Sequence, residues 1–305
     1  MSADITLLDE NRLFIDEHGE PQGGVFVTRA GQLAVYTACG PGHDGPSEDA
    51  AVVLQADADT WVLAVADGVG GQPGGRHASV LALRELETAL LEAPRDTDNG
   101  TWLRSAIIDG IERANRAVLD LGTGAGTTLA VAELGPGYVR PYHVGDSAVL
   151  VVGQRGRDKL QTTPHSPVGF AVEAGLLEEH EAIHHELLHI ISNVIGDPEM
   201  RIEIGSELKL AERDTLVIAS DGLLDNLFAE EIRDLVRTGP LDRVMRELRA
   251  GVARRMHGEE PGRPCKPDDC TVIVFRRHSP ATRRLWQAHD PDTRDWLADG
   301  APAPS

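Results

Sequence analysis

The chain reads as short apolar runs broken by Gly, Pro and Asp. Runs rich in Val, Leu and Ala at 25–28, 32–39, 50–56 and 61–66 predict strands. A Gly-rich turn, Gly68 to Gly75, leads into a helix expected over 77–92. A second helix is expected over 101–120, where Leu103, Ile107, Ile111, Ala114 and Val118 keep the 3–4 spacing of one buried face. Strands follow at 126–134, 138–144 and 147–153. Residues 160–200 are irregular, with five His and a short acidic helix expected over 172–187. Strands at 201–210 and 215–220 precede helices at 229–237 and 241–256, the second striped by Leu241, Val244, Leu248 and Val252. A last strand covers 271–276. Strand pairs followed by two helices, then strands, two helices and a strand, do not alternate as βαβ units do. The pattern predicts an α+β fold in which antiparallel sheets carry their helices on the outside.

No internal repeat and no composition break divides the core. One domain is expected over 25–277, with a polar, Gly-rich arm or edge hairpin at 1–24 and a tail at 278–305 holding a short helix and a Pro/Ala-rich, partly disordered end. A chain of 305 residues suffices for a large core, since about 75% of the unfolded surface is hidden at this size. The net charge of −20 repels phosphate backbones and anionic lipid, so neither nucleic acid nor a membrane surface is an expected partner. Cys39, Cys265 and Cys270 are odd in number and lack CxxC spacing, which disfavours a disulfide framework and a zinc site. Reduced thiols in the cytoplasm are the expectation. No signal peptide is expected, and no apolar run approaches the roughly 18 residues of a membrane span.

The informative charges sit at strand ends. Asp49 precedes an apolar strand, Asp67 and Asp221 end two others and are each followed by Gly, Asp268 precedes the last, and Asp146 lies between two. Burying a carboxylate in such places is costly unless a positive side chain or a cation compensates it. No Arg or Lys stands within two residues of Asp49, Asp67, Asp146 or Asp221. An all-oxygen carboxylate cluster suits a hard cation, Mg²⁺ or Mn²⁺, better than zinc. The Gly after Asp67 and after Asp221 reads as the residue that lets a strand turn sharply, so that backbone oxygen can approach the cation.

In order, SEDA, VADGVGGQPGGRHAS, GAGTTLAVAEL, HVGDSAVLVV, IASDGLLDNL and PDDCTVIVF span about 31–276. This set resembles the metal-dependent serine/threonine protein phosphatases of the PPM (protein phosphatase 2C) family, in particular its bacterial single-domain members. The resemblance implies a β-sandwich of two antiparallel sheets flanked by helix pairs, with a dinuclear Mn²⁺ or Mg²⁺ site at one end. It implies that Asp67 bridges both ions, with Asp49, the Gly68 carbonyl, Asp221 and Asp268 completing their shells. Asp268 is taken over Asp269 because it fills the first place of the family's Asp-Asn/Asp-x-Thr/Ser pattern. Glu48 would hold metal-bound water, and Asp146 would join Asp221 around a third, weaker ion. The implied activity is hydrolysis of phosphoserine and phosphothreonine in proteins by a metal-bound hydroxide, without a phosphoenzyme. The implied partner is a phosphoprotein, the substrate of a serine/threonine kinase.

The chain departs from the family at Asp44, where many members carry an Arg that grips the substrate phosphate. His43 and Arg76 are the candidates to replace it. Val69 stands where some members have a His. Residues 160–200 correspond to the family's variable flap; its His180/His184 and His185/His189 are i,i+4 pairs, read as exposed polar positions. Two alternatives remain: a phosphatase of a small phosphorylated molecule, and an inactive binding module with the same fold.

Overall fold

A computed structural model describes residues 5–7, 12–16, 22–43, 45–57, 59–69, 73–95 and 101–279. The N-terminal half holds β1 (Ile5–Leu7), β2 (Arg12–Asp16), β3 (Gln22–Val27), β4 (Gly31–Ala38), β5 (Asp49–Gln55), β6 (Trp61–Val69), α1 (Pro73–Glu92) and α2 (Trp102–Asp120). Four strands follow with one short pairing segment: β7 (Gly126–Thr127), β8 (Leu129–Gly135), β9 (Tyr138–Val144), β10 (Ala148–Gly153) and β11 (Arg157–Gln161). The flap carries α3 (Pro167–Glu173) and α4 (Glu179–Ala182), and β12 (Glu203–Ile204) and β13 (Leu208–Lys209) come after it. The chain then runs through β14 (Thr215–Ala219), α5 (Asp221–Leu224), α6 (Ala229–Val236), α7 (Leu241–Met256) and β15 (Cys270–Arg277).

The strands form two sheets. One runs β1-β3-β4-β15-β14-β10-β11, and the other runs β12-β9-β8-β6-β5-β2 with β13 on β9 and β7 on β6. Every pairing is antiparallel except β1 with β3. Alternation along each strand sorts side chains between two cores. Ala50, Val52 and Leu54 of β5 face α1 and α2, whereas Ala51 and Val53 face the other sheet. Val217 and Ala219 of β14 face α6 and α7, whereas Leu216 and Ile218 face inward. The result is four layers, helix pair, sheet, sheet, helix pair, as the α+β reading expected. The continuous apolar runs have the same cause: both faces of each sheet are covered, so neither needs to be polar.

The helix stripes are where the spacing put them: Ile107, Ile111, Ala114 and Val118 are buried in one core and Leu241, Val244, Leu248 and Val252 in another. Three expectations change. Residues 5–7 and 12–16, within the expected arm, are strands, and β2 pairs antiparallel with β5 along five residues. The acidic helix over 172–187 is two short helices separated at Gly175, which has φ +68°, so the two His pairs do not share a helix. The strand over 201–210 is two two-residue pairings. The tail from 280 onward and Asp44 lie outside the described residues.

Candidate metal centre

The strand-end Asp residues come together at one end of the sandwich. Asp49 opens β5 and stands directly opposite Asp67 of β6 in the antiparallel register. Asp221 follows β14 as the first residue of α5, and Asp268 lies two residues before β15, the neighbour of β14. Asp146 sits in the β9–β10 turn, where Gly145 adopts φ +101°. Hydroxyls lock this end of the strands. Ser220 Oγ donates to Asp49 Oδ2 (2.7 Å) and accepts from the Thr271 amide (2.9 Å), while Thr128 and Ser147 hydroxyls are 2.7 Å apart.

Gly68 and Gly222 are required, but for a different reason than backbone turning. Neither has a positive φ. A Cβ on Gly68 would stand 2.3 Å from the carbonyl carbon of Gly75 at the start of α1, and one on Gly222 would stand 1.9 Å from the Asp269 carbonyl oxygen. These glycines let neighbouring backbone close tightly on the cluster.

The electrostatics are those of a crowded acidic site. Burial, followed by the charges of neighbouring Asp residues, pushes Asp67 well above the usual carboxylate range; burial does the same to Asp49 although the Ser220 hydrogen bond opposes it. Burial and the charge of Asp221 push Asp146 up to about 8 and Asp225 up to about 7, and raise Asp268. Asp49 Oδ1, Asp146 Oδ1 and Asp221 Oδ1 are buried with no hydrogen-bond partner among the described residues. Unpartnered buried carboxylate oxygens are what a hard divalent cation takes as ligands, so the donor set fits Mg²⁺ or Mn²⁺.

Asp268 and Asp269 diverge. Asp269 accepts from the amides of Gly40 (2.9 Å) and Glu48 (2.6 Å) and from His43 Nδ1 (2.8 Å), so its carboxylate pins the β4–β5 loop. Among the described residues, Asp268 Oδ1 accepts from the Asp269 amide alone. The His43 imidazole is exposed, and its hydrogen bond to Asp269 raises its pKa. Arg76, in the first turn of α1, donates to the Ser47 carbonyl at 2.8 Å. Glu48 turns toward α1: a Cβ on Gly75 would stand 3.0 Å from Glu48 Oε2.

Two residues were missed by the sequence reading. Lys266 Nζ lies 2.5 Å from Asp221, 2.8 Å from Asp225 and 3.3 Å from Asp268. The cluster therefore does have a basic partner, which the loop after α7 delivers through space. Asp225 was detectable, since i,i+4 from Asp221 in DGLLD puts both on one side of a helical turn. Lys266 had a weaker signal, two residues before Asp268. Beside the carboxylates, the flap and α6 enclose a cavity of about 330 Å³ lined by Asp146, Asp221 and Asp225 at one end and by Val168, Leu188 and Phe228. Among the described residues no helix is long and apolar enough to cross a membrane.

Residues 42–256 match the family model described as protein phosphatase 2C. The chain is 33% identical over 182 residues to protein phosphatase PhpP of Streptococcus pneumoniae, an alignment covering 57% of this chain and 72% of that protein. The solved structure of the S. agalactiae serine/threonine phosphatase superposes with a TM-score of 0.69 at 28% identity, covering 81% of this chain and 99% of that one. The catalytic domain of the phosphatase PstP, solved in complex with two manganese ions, shares the fold with a TM-score of 0.61 at 24% identity, covering 81% and 98%.

Proposed function

Because the chain belongs to the protein phosphatase 2C family, we propose that it hydrolyses phosphoserine and phosphothreonine in proteins at the carboxylate cluster. The observation that carries this reading is the set of buried, unpartnered oxygens on Asp49, Asp146 and Asp221, gathered with Asp67 and Asp268 at one end of the sandwich. In this reading Asp67, Asp49, the Gly68 carbonyl, Asp221 and Asp268 would hold the divalent ions. Mn²⁺ or Mg²⁺ there supplies charge neutralisation for the phosphoryl group and an activated water.

The residues around the cluster divide the remaining work. Ser220 orients Asp49 by donating to one oxygen and leaving the other open. Glu48, fixed through its amide by Asp269, is assigned to orient water at the site. His43 is assigned to grip the substrate phosphate: it is exposed, and Asp269 favours its charged form. Arg76, whose guanidinium reaches back to the Ser47 carbonyl, is the alternative. The cavity between flap and α6 would receive the residues flanking the phosphorylated side chain. The substrates would be proteins modified by a serine/threonine kinase of the same cell, and Cys39, Cys265 and Cys270, which form no disulfide among the described residues, fit a reducing cytoplasm. The acidic balance of the chain argues against nucleic-acid or membrane partners.

Hydrolysis of para-nitrophenyl phosphate with and without Mn²⁺ tests the reading. Turnover should require the metal, and Asp67→Asn should lower it by about a hundredfold to a thousandfold, the scale of losing a principal electrostatic element of an active site. A folded, metal-loaded chain without turnover would leave only a binding module. Preference for a phosphopeptide over small phosphoesters would separate a protein phosphatase from a small-molecule one.

A further inference from the structure

Lys266 gives half of the carboxylate cluster a cation of its own. Its ammonium contacts Asp221 Oδ2 (2.5 Å), Asp225 Oδ2 (2.8 Å) and Asp268 Oδ2 (3.3 Å). An ammonium has three N–H donors, so three carboxylates saturate it. The lysine backbone is fixed too. Its amide donates to Asn226 Oδ1 (2.9 Å), and Asn226 Nδ2 donates back to the Lys266 carbonyl (2.8 Å) and to the Gly222 carbonyl (3.0 Å). Asn226 is fully buried, so the clamp is part of the core.

The other half of the cluster is beyond this lysine. Among the described residues no ion pair joins Lys266 to Asp49 or Asp67. Asp221 straddles the division, with Oδ2 on the ammonium and Oδ1 unpartnered. A divalent ion held by Asp221 and Asp268 would have to share those carboxylates with the ammonium, and the two positive charges would repel. Asp225, which the proposed function does not use as a ligand, is positioned to keep the ammonium when it leaves the other two.

We propose that Lys266 is an internal competitor for the divalent ion held by Asp221 and Asp268: it neutralises these carboxylates in the metal-free protein and withdraws toward Asp225 when that ion binds. The inference rests on reading the cluster as a metal centre. It makes the two ions unequal, the ion on the Asp49–Asp67 side being held tightly and the other weakly. It also makes Lys266 a stabilising residue without metal and a neutral or destabilising one with it, since removing a cation from buried carboxylates is costly until another replaces it.

The test uses the full chain, stripped with a chelator and titrated with Mn²⁺, with free Mn²⁺ read by its electron paramagnetic resonance signal and with melting curves at both ends of the titration. Wild type is compared with Lys266→Met and Lys266→Gln. The expected result is that the weaker class of sites tightens by about tenfold or more, the scale of a typical coupling between ligands. The tighter class should not change. The variants should melt below wild type without Mn²⁺ and level with or above it at saturation, and a variant that folds only with Mn²⁺ is the extreme of the same result. An unchanged weaker class, an equal shift in both classes, an equal loss of melting temperature with and without Mn²⁺, or failure to fold in either state overturns the inference. Binding is read without turnover. A wild-type chain that binds two unequal ions but cleaves no phosphoester would therefore sink the phosphatase reading and leave this one standing.

Discussion

Asp268 and Asp269 are neighbours of identical chemistry, and the fold gives them opposite work. Both oxygens of Asp269 are taken by Gly40, Glu48 and His43, whereas Asp268 turns to the cluster and to Lys266. The pairing with Asp269 also sets a pH dependence. A raised His43 pKa means the imidazolium persists to higher pH than in a free His, and the charge is lost as pH climbs through the raised value. If His43 binds phosphate, KM should rise along that limb in wild type while kcat changes less. His43→Ala should raise KM by about tenfold or more at neutral pH, as expected for a lost hydrogen bond to a charged group, and should flatten the limb. A KM that keeps its pH dependence in the variant would move the role to Arg76. The chain order made the strand-end Asp residues legible, because a charge next to an apolar run is conspicuous. Lys266 was barely legible: it stands two residues before Asp268, but its closer partners Asp221 and Asp225 are some forty residues away in sequence.

Elements with strong periodicity were legible and those held by tertiary contacts were not. The stripes of α2 and α7 specify helices by themselves, since the 3–4 spacing admits no other regular structure with one apolar face. The flap over 172–187 contains good helix formers, yet Gly175 in the left-handed region ends α3 and the chain starts again at α4. Strand β11, with an exposed and charged sequence, is a strand because β10 offers its edge. Glycines show the same split. Gly222→Ala forces a Cβ into the Asp269 carbonyl where β14 leaves for α5, so it should cost about 1–3 kcal/mol of stability or more, and weaken Mn²⁺ binding through the displaced Asp221. Gly251→Ala in α7 meets Leu227 only at ordinary contact distance, 3.4 Å, and should stabilise by about 0.5–1 kcal/mol through helix propensity. Chemical denaturation of both variants checks the pair; equal effects would refute the close-approach account of Gly222.

For the whole molecule, the carboxylate cluster joins the two sheets. Asp49 and Asp67 belong to one sheet, while Asp221 and Asp268 flank adjacent strands of the other. Ions bound there act as ligands of the native state alone, so Mn²⁺ at about 100 times its dissociation constant should add roughly 2.7 kcal/mol of stability per site. A chelator should lower the melting temperature accordingly, and a melting curve indifferent to Mn²⁺ would rule out tight binding. By itself, the sequence determined the layered α+β class and the ordered set of Asp residues. Alternation, helical spacing and conspicuous charges are local signals, and local signals survive in a linear chain. Only the tertiary structure decided that Asp269 is spent on the β4–β5 loop, why Gly68 and Gly222 admit no side chain, and that Lys266 stands among the carboxylates. Each of these depends on groups brought together from distant parts of the chain, where packing and through-space charge, not neighbours in sequence, set the energy.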